Sequence, residues 1–206
     1  PMGGGTVLNQ PNREAVAVVD LQMLGLEQVE EDGNLLRVGA MVRLQTLLET
    51  GDRIKGLAEI IRHEAPVNIR QAATIAGAVA AGDGRSPLLA GLLACDAKLA
   101  LQHAGQAMKL VKTGDWLLQR EARHGVLITA VLLPLNVHLA YQYVARTPAD
   151  RPILGAVVAM WPGGRTRLVL CGWGALPVLA MDGPEASGIE AAARNAASEA
   201  SDAWAS

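Results

Sequence analysis

"ATIAGAVAAGDGRSP" (Ala73–Pro87) is a run of fifteen residues with almost no large side chain. Such a run has two physical uses. Either two stretches of backbone pack closely there, or a group that is not protein lies against the main chain. Thr74 offers a hydroxyl, Ile75 an apolar wall, and Ala76-Gly77-Ala78 a bare backbone. A short alanine helix followed by a glycine loop, used for tight packing, is the structural alternative. One other stretch is equally bare: "MGGGTVLN" (Met2–Asn9). There Gly3, Gly4 and Gly5 leave consecutive N–H groups uncovered, Thr6 adds a hydroxyl, and Val7 and Leu8 follow. Such a nest suits an anion, although a linker would have the same composition. Neither stretch completes Gly-x-Gly-x-x-Gly, and no strand precedes the first, so the Rossmann fingerprint is absent.

The surrounding chain is that of a globular protein. Half of its 206 residues are apolar and 18% are charged, with a net charge of −2. Its arginines are scattered, which argues against nucleic acid, because neutralising phosphates takes clustered cations. Cys95 and Cys171 sit in apolar runs and read as buried thiols. Without Cys-x-x-Cys or His-x-x-x-His spacing, no metal ligand set is expected. Leu88–Leu101 is the most apolar run. It is too short to span a bilayer and contains Asp96 and Lys98. A cytoplasmic location is the expectation. The chain opens directly in a glycine run and ends in a helical pattern, so it reads as a fragment or a processed chain.

Ala15–Gln22 and Leu35–Val42 read as strands, the second after the turn signal Asp32-Gly33-Asn34. Leu44, Leu47 and Leu48 fall on one side of a helix. Leu57–Ala65 is a clearer helix, stopped by Pro66. Lys98–His103 and Ala107–Val111 suggest a hairpin about Gly105, Asp115–Ala122 a short helix, and Val126–Leu133 a strand ended by Pro134. Val137, Leu139, Tyr141 and Tyr143 alternate along another strand. A polar connection at 146–152 precedes a hairpin, Ile153–Trp161 with Thr166–Trp173, around Pro162-Gly163-Gly164. Trp161 and Trp173 suit either a core or an interface. Ser187–Trp204 reads as a closing helix with a Ser187/Glu190 capping box and a stripe of Ile189, Ala193, Ala197, Ala200 and Trp204. This irregular order favours an α+β fold, with a domain boundary near 134–150.

The ordered set "GGGTVL", "VVDLQML", "LLRVGAMVRLQTL", "IRQAATIAGAVA", "LLACDAKLAL" and "VLITAVLLP" resembles the FAD-binding (medium) subunit of molybdenum hydroxylases, of the carbon monoxide dehydrogenase and xanthine dehydrogenase type. "YVARTPADRPILGAVVAM" and "LVLCGWGALPV" are similar to that subunit's C-terminal domain. The resemblance implies a p-cresol methylhydroxylase-type FAD fold over 1–135 and a small α+β domain over 136–206. It implies FAD as cofactor, with an iron–sulfur subunit and a molybdopterin subunit as partners. Electrons would pass from molybdenum through the clusters to FAD and on to an external acceptor.

By position, Gly3, Gly4, Gly5, Thr6, Val7 and Leu8 match the family's first flavin loop. Thr74, Ile75, Ala76, Gly77 and Ala78 match its second. On this reading Ala73–Pro87 is small so that backbone can lie against a pyrophosphate. The pattern is broken in places. Val7 replaces a polar residue, Ala76 a glycine and Ala78 an amide. Pro87 stands where the family has an acid that hydrogen-bonds the flavin nucleotide, and Asp83 is the nearby substitute. Tyr143 stands where the family has a lysine near the flavin. Arg70 and Arg85 flank the second loop as phosphate ligands or as solvated charge. These losses keep a second reading open: an interaction subunit of the same fold without the cofactor. A stand-alone flavin oxidoreductase of this superfold is a third, and the C-terminal likeness counts against it.

Overall fold

The computed structural model describes residues 1–7, 17–50, 53–120, 125–147, 150–198 and 200. The elements in chain order are β1 (Val29–Asp32), β2 (Leu35–Gly39), α1 (Leu44–Thr50), α2 (Leu57–Glu64), α3 (Val67–Arg70), α4 (Ile75–Ala81) and α5 (Pro87–Ala94). There follow β3 (Lys98–His103), β4 (Lys109–Lys112), α6 (Thr113–Leu118), β5 (Val126–Pro134), β6 (His138–Val144), β7 (Leu154–Met160), β8 (Thr166–Cys171), β9 (Val178–Gly183) and α7 (Ile189–Ala197). Two antiparallel sheets result, one ordered β1-β2-β5-β3-β4 and the other β6-β7-β8-β9. The fold is the expected α+β mixture. Among the described residues no helix is long and apolar enough to cross a membrane.

One helix explains how the layers cohere. Every residue of α5 is buried, as expected of a helix that is apolar all round. It packs against α2 and against β7 and β8 of the second sheet. Gly91 permits the α2 contact, since a Cβ there would lie 3.0 Å from Ile60 Cδ1. At its C-terminus the Leu93 carbonyl accepts from Nη1 of the buried Arg167 on β8, at 2.9 Å. A cation at this end suits both the orphan carbonyls and the helix dipole. Asp96 pairs with Arg167 and Arg165, while Arg165 grips Asp182 through two nitrogens. These hydrogen bonds hold the Asp182 carboxyl below its usual range. Arg165 also covers the Trp161 ring, 4.8 Å from its centroid. Cys95 and Cys171 are free and buried as expected, and burial pushes both thiols up to about 12.

Three expectations need correction. Ala15–Gln22 is not a strand over its described part. Val18 and Val19 are exposed and only Asp20 makes a bridge, a parallel one to Met2. The Asp20 side chain then accepts from Gln22 N and a 3₁₀ turn follows at Gln22–Leu24. β-Branched residues favour strands where neighbours cover them, and here cover is lacking. The second correction is the start of α7. Gly188, at φ 80°, is the N-cap and supplies no side chain, while Ser187 Oγ donates to Glu185 rather than capping. α7 ends at Ala197, and Trp204 lies outside the described residues. Third, β1 and β9 were not anticipated: the strand that pairs with β2 is Val29–Asp32 rather than Ala15–Gln22, and β9 follows β8. The alternation of β9 is weak, and it pairs with β8 across a register shift at Leu168/Val169.

Candidate functional site

The two bare segments meet. Ahead of α4 the chain from Ala72 to Ala76 runs beside the β2–α1 connection. Leu44 N donates to the Ala73 carbonyl, Ile75 N to Val42, and Ala76 N to Ala40. Thr74 then caps α4, its hydroxyl accepting from Gly77 N at 3.2 Å. The first segment is held by Met2 N donating to the Val19 carbonyl at 2.7 Å. It lies directly on the second. A Cβ on Gly4 would fall 1.6 Å from the Ala72 oxygen, and one on Gly3 would fall 2.5 Å from Thr74 Oγ1.

The two uses of small residues are therefore divided between positions. Gly4 is small because protein backbone crosses it, and Gly3 because the Thr74 side chain lies against it. Gly82 and Gly84 are also small for packing, since a Cβ on Gly82 would strike the Leu89 side chain and the Ala78 carbonyl, and one on Gly84 the Trp173 carbonyl. Gly77 is different. A Cβ there would meet only Thr74 Oγ1, at 3.0 Å, and would otherwise face open space. The expectation that all of Ala73–Pro87 is kept small for a ligand is corrected accordingly.

Three adjoining cavities share Gly77. The first, about 230 Å³, is lined by Gly3, Gly4, Gly5, Thr6 and Val7 together with Thr74 and Gly77. The second, about 280 Å³, takes Ala76 and Gly77 on one side and Trp116, Arg120, Val126 and Ile128 on the other. The third, about 260 Å³, adds Ala78, Glu64 and Arg151 to Thr6, Val7 and Gly77. The cleft is thus lined by backbone and small side chains along its middle, with apolar walls and a few polar groups around them. Pockets of this kind suit a nucleotide cofactor with ring systems.

Most of the expected site residues come together in this cleft; the rest lie elsewhere. Ile75 is buried beneath it in the core, and Leu8 lies outside the described residues. Asp83 is turned aside, accepting from Arg85 N at 2.9 Å and pairing with Arg151 at 3.3 Å, and is not among the residues lining the three cavities. Arg70 is committed to Gln45 and to the Arg62 and Ala65 carbonyls, so it serves the fold. Tyr143 packs in an aromatic group, its ring 4.2 Å from that of His63 and nearly parallel to Tyr141.

Several lining residues were missed by sequence reasoning, among them Trp116, Arg120, Glu64 and Arg151. Trp116 and Arg120 belong to a segment read only as a short helix. One Arg120 guanidinium nitrogen donates to the Gly82 carbonyl, fixing the side chain at the cavity edge. Trp116 is 5% exposed, and its indole N–H has no hydrogen-bond partner among the described residues. A buried donor left without an acceptor is uncommon and costly. FAD fits what is present: open backbone at Gly77, the Thr74 hydroxyl at the cavity edge, and apolar walls for rings. Ala76 and Ala78 line the cleft with methyl groups but do not fill it.

Glu64 has the most perturbed carboxyl here. Burial raises it from 4.5 to about 7, opposed by hydrogen bonds from Leu88 N and Ser86 Oγ and by the charge of Arg151. The folded protein therefore binds a proton that the unfolded chain releases between about pH 4.5 and 7, so stability falls as pH rises through that window. Wild type melts lower at about pH 8 than at about pH 5.5, by roughly 3–6 °C if this group dominates. Glu64→Gln flattens that difference. Thermal melts of both proteins across pH check it, and equal slopes would refute the assignment.

Comparison with known proteins places this geometry in context. A family model described as the FAD binding domain in molybdopterin dehydrogenase matches residues 2–136. Curated proteins from Escherichia coli strain K12 and strain O157:H7, both called "Uncharacterized protein YgfM", are 32% identical over 173 residues. That alignment takes in 82% of this chain, and the chain spans 64% of the length of those relatives. Among solved structures, carbon monoxide dehydrogenase from Hydrogenophaga pseudoflava superposes with a TM-score of 0.72 at 21% identity, covering 88% of this chain and 71% of that one. Quinoline 2-oxidoreductase from Pseudomonas putida 86 gives 0.72 at 19% identity with the same coverage. Reconstituted CO dehydrogenase from Oligotropha carboxidovorans gives 0.67 at 22%, covering 87% and 71%. These structural likenesses concern the fold.

Proposed function

The chain belongs to the family of FAD-binding domains of molybdopterin dehydrogenases, and from that premise we propose that it holds FAD as the electron-transfer cofactor of a heteromeric molybdenum hydroxylase. On this reading an iron–sulfur subunit and a molybdopterin subunit are its partners, and the complex works in the cytoplasm. Residues 1–135 form the cofactor-binding unit, and 136–206 the C-terminal unit of the subunit.

One observation carries the proposal. Two bare segments some seventy residues apart in sequence line a single cleft, and Gly77 stands open to it. Bound FAD would supply the redox chemistry. The chain's own part is to bind, orient and exclude water. Thr74 Oγ1 is fixed by the Gly77 N–H and keeps its own proton free to donate to an anion. Trp116 contributes to the opposite wall. Val126 and Ile128 give the apolar side that a ring system needs. The residues that break the family pattern do not favour the flavin-free alternative. Val7 borders the cleft and is 55% exposed, so it does not fill it, and the space between the two segments is open, about 230 Å³, among the described residues.

Titration of the purified chain with FAD, followed by quenching of flavin fluorescence, tests this. Saturation at one FAD per chain, with ADP competing, is the expected result. A chain that binds neither, alone or within its native assembly, would leave the flavin-free reading in its place.

A further inference from the structure

We propose that Glu64, at the end of α2, is a cofactor-contacting residue of the cleft. The proposal rests on the FAD reading above and adds a residue and a chemical group to it.

The start of α5 fixes where the Glu64 carboxyl sits. Ser86 is the N-cap and its Oγ accepts from Leu89 N at 3.0 Å. Pro87 at the first helical position has no N–H to satisfy. The remaining first-turn donor is Leu88 N, and Glu64 Oε2 accepts from it at 2.8 Å while also accepting from Ser86 Oγ at 2.8 Å. The carboxylate is thereby fixed in space by two elements. Both of these bonds fall on one oxygen. A carboxylate has about four acceptor positions on its two oxygens, so capping α5 occupies only half of its capacity.

The same side chain lines the third cavity, beside Thr6, Val7, Gly77 and Ala78. Arg151 lines it too, anchored to Asp83 at 3.3 Å. An otherwise largely apolar space thus carries one fixed acceptor and one cationic donor. That pair suits a planar heterocycle whose edge presents an N–H next to a carbonyl. The isoalloxazine ring has such an edge, N3–H between two carbonyls. Glu64 accepts from N3–H and Arg151 donates to a neighbouring carbonyl oxygen. Helix capping alone accounts for Oε2 but gives no reason for the carboxyl to border the cavity that the glycine segments share.

The test uses FAD, N3-methyl-FAD and ADP as probes of wild type and Glu64→Gln. Titrations are run at about pH 8, above the Glu64 midpoint. Glutamine keeps an acceptor for Leu88 N and Ser86 but turns its amide N–H toward the ring. FAD affinity is expected to fall roughly tenfold to a hundredfold in Glu64→Gln. N3-methylation should weaken binding to wild type by a similar factor and cost the variant little. ADP should bind both proteins alike, which shows the cleft intact. Equal FAD affinity in the two proteins, or an equal penalty for N3-methylation in both, overturns the assignment of Glu64 while leaving FAD binding in place. Failure of wild type to bind FAD at all overturns the underlying reading instead.

Discussion

Gly77→Val yields a protein that folds and does not hold FAD. The position has little work to do in packing. Its N–H caps onto Thr74 Oγ1, which valine preserves, and a Cβ would meet only that oxygen, at 3.0 Å. A movement of a few tenths of an ångström in the threonine side chain relieves it. Valine is slightly better than glycine inside a helix, so the melting temperature should stay within roughly 2 °C of wild type. The cleft fares otherwise, because all three cavities share this residue. Three added carbons occupy the place where a ligand would approach the backbone. FAD affinity should fall at least about a hundredfold, some 2.7 kcal/mol, with Gly77→Ala between the two. Retention of flavin by Gly77→Val would mean that the cofactor lies elsewhere.

Period and punctuation made much of the fold legible. The α2 face, Leu57, Ile60 and Ile61, is buried as its spacing demands, and Pro66 follows its end. The alternation of Leu139 and Tyr141 against exposed neighbours appears directly in β6. Gly33 and Gly164 turn their hairpins at positive φ. What failed was whatever depended on covering surface. Val18 and Val19 have the chemistry of a strand and no neighbour to bury them, and propensity alone cannot report that. The Ser187/Glu190 spacing was right for a capping box, but Gly188 in a left-handed conformation moves the helix start one residue on.

The site was legible where function needs backbone and illegible where it needs side chains. Missing bulk marks both glycine segments, whatever folds around them. Glu64 carries no such mark. It is one acid at the end of an amphipathic helix, and its role comes from α5 beginning beside it. Trp116 reads as an ordinary core aromatic until its indole N–H is found without an acceptor. Asp83 is the converse case. Nearness in sequence suggested a ligand, whereas Arg151 and the Arg85 amide hold it in a turn.

Gly4→Ala should do the opposite of Gly77→Val and lose stability and cofactor together. A methyl at Gly4 would sit 1.6 Å from the Ala72 carbonyl oxygen and 2.4 Å from its carbon. Both are backbone atoms, and the Ala72–Ala76 stretch is tied down by the hydrogen bonds to Val42, Leu44 and Ala40. No rotamer change can relieve that overlap, so the first segment must lift away. Overpacking of this kind costs about 1–3 kcal/mol, which lowers the melting temperature by roughly 3–10 °C in a chain of this size. Lifting the segment also removes the wall that Gly3, Gly4 and Thr6 give the cleft, so added FAD should no longer raise the melting temperature. Gly25 is the control. It has φ 66°, a Cβ there would meet nothing within 4 Å, and it lines none of the three cavities. Asparagine tolerates that conformation better than most residues, so Gly25→Asn should keep most of both properties. Melts with and without saturating FAD separate the cases. Only a close crossing of two backbones beside an open cleft predicts that Gly4→Ala fails in both measurements, Gly77→Val in one, and Gly25→Asn in neither.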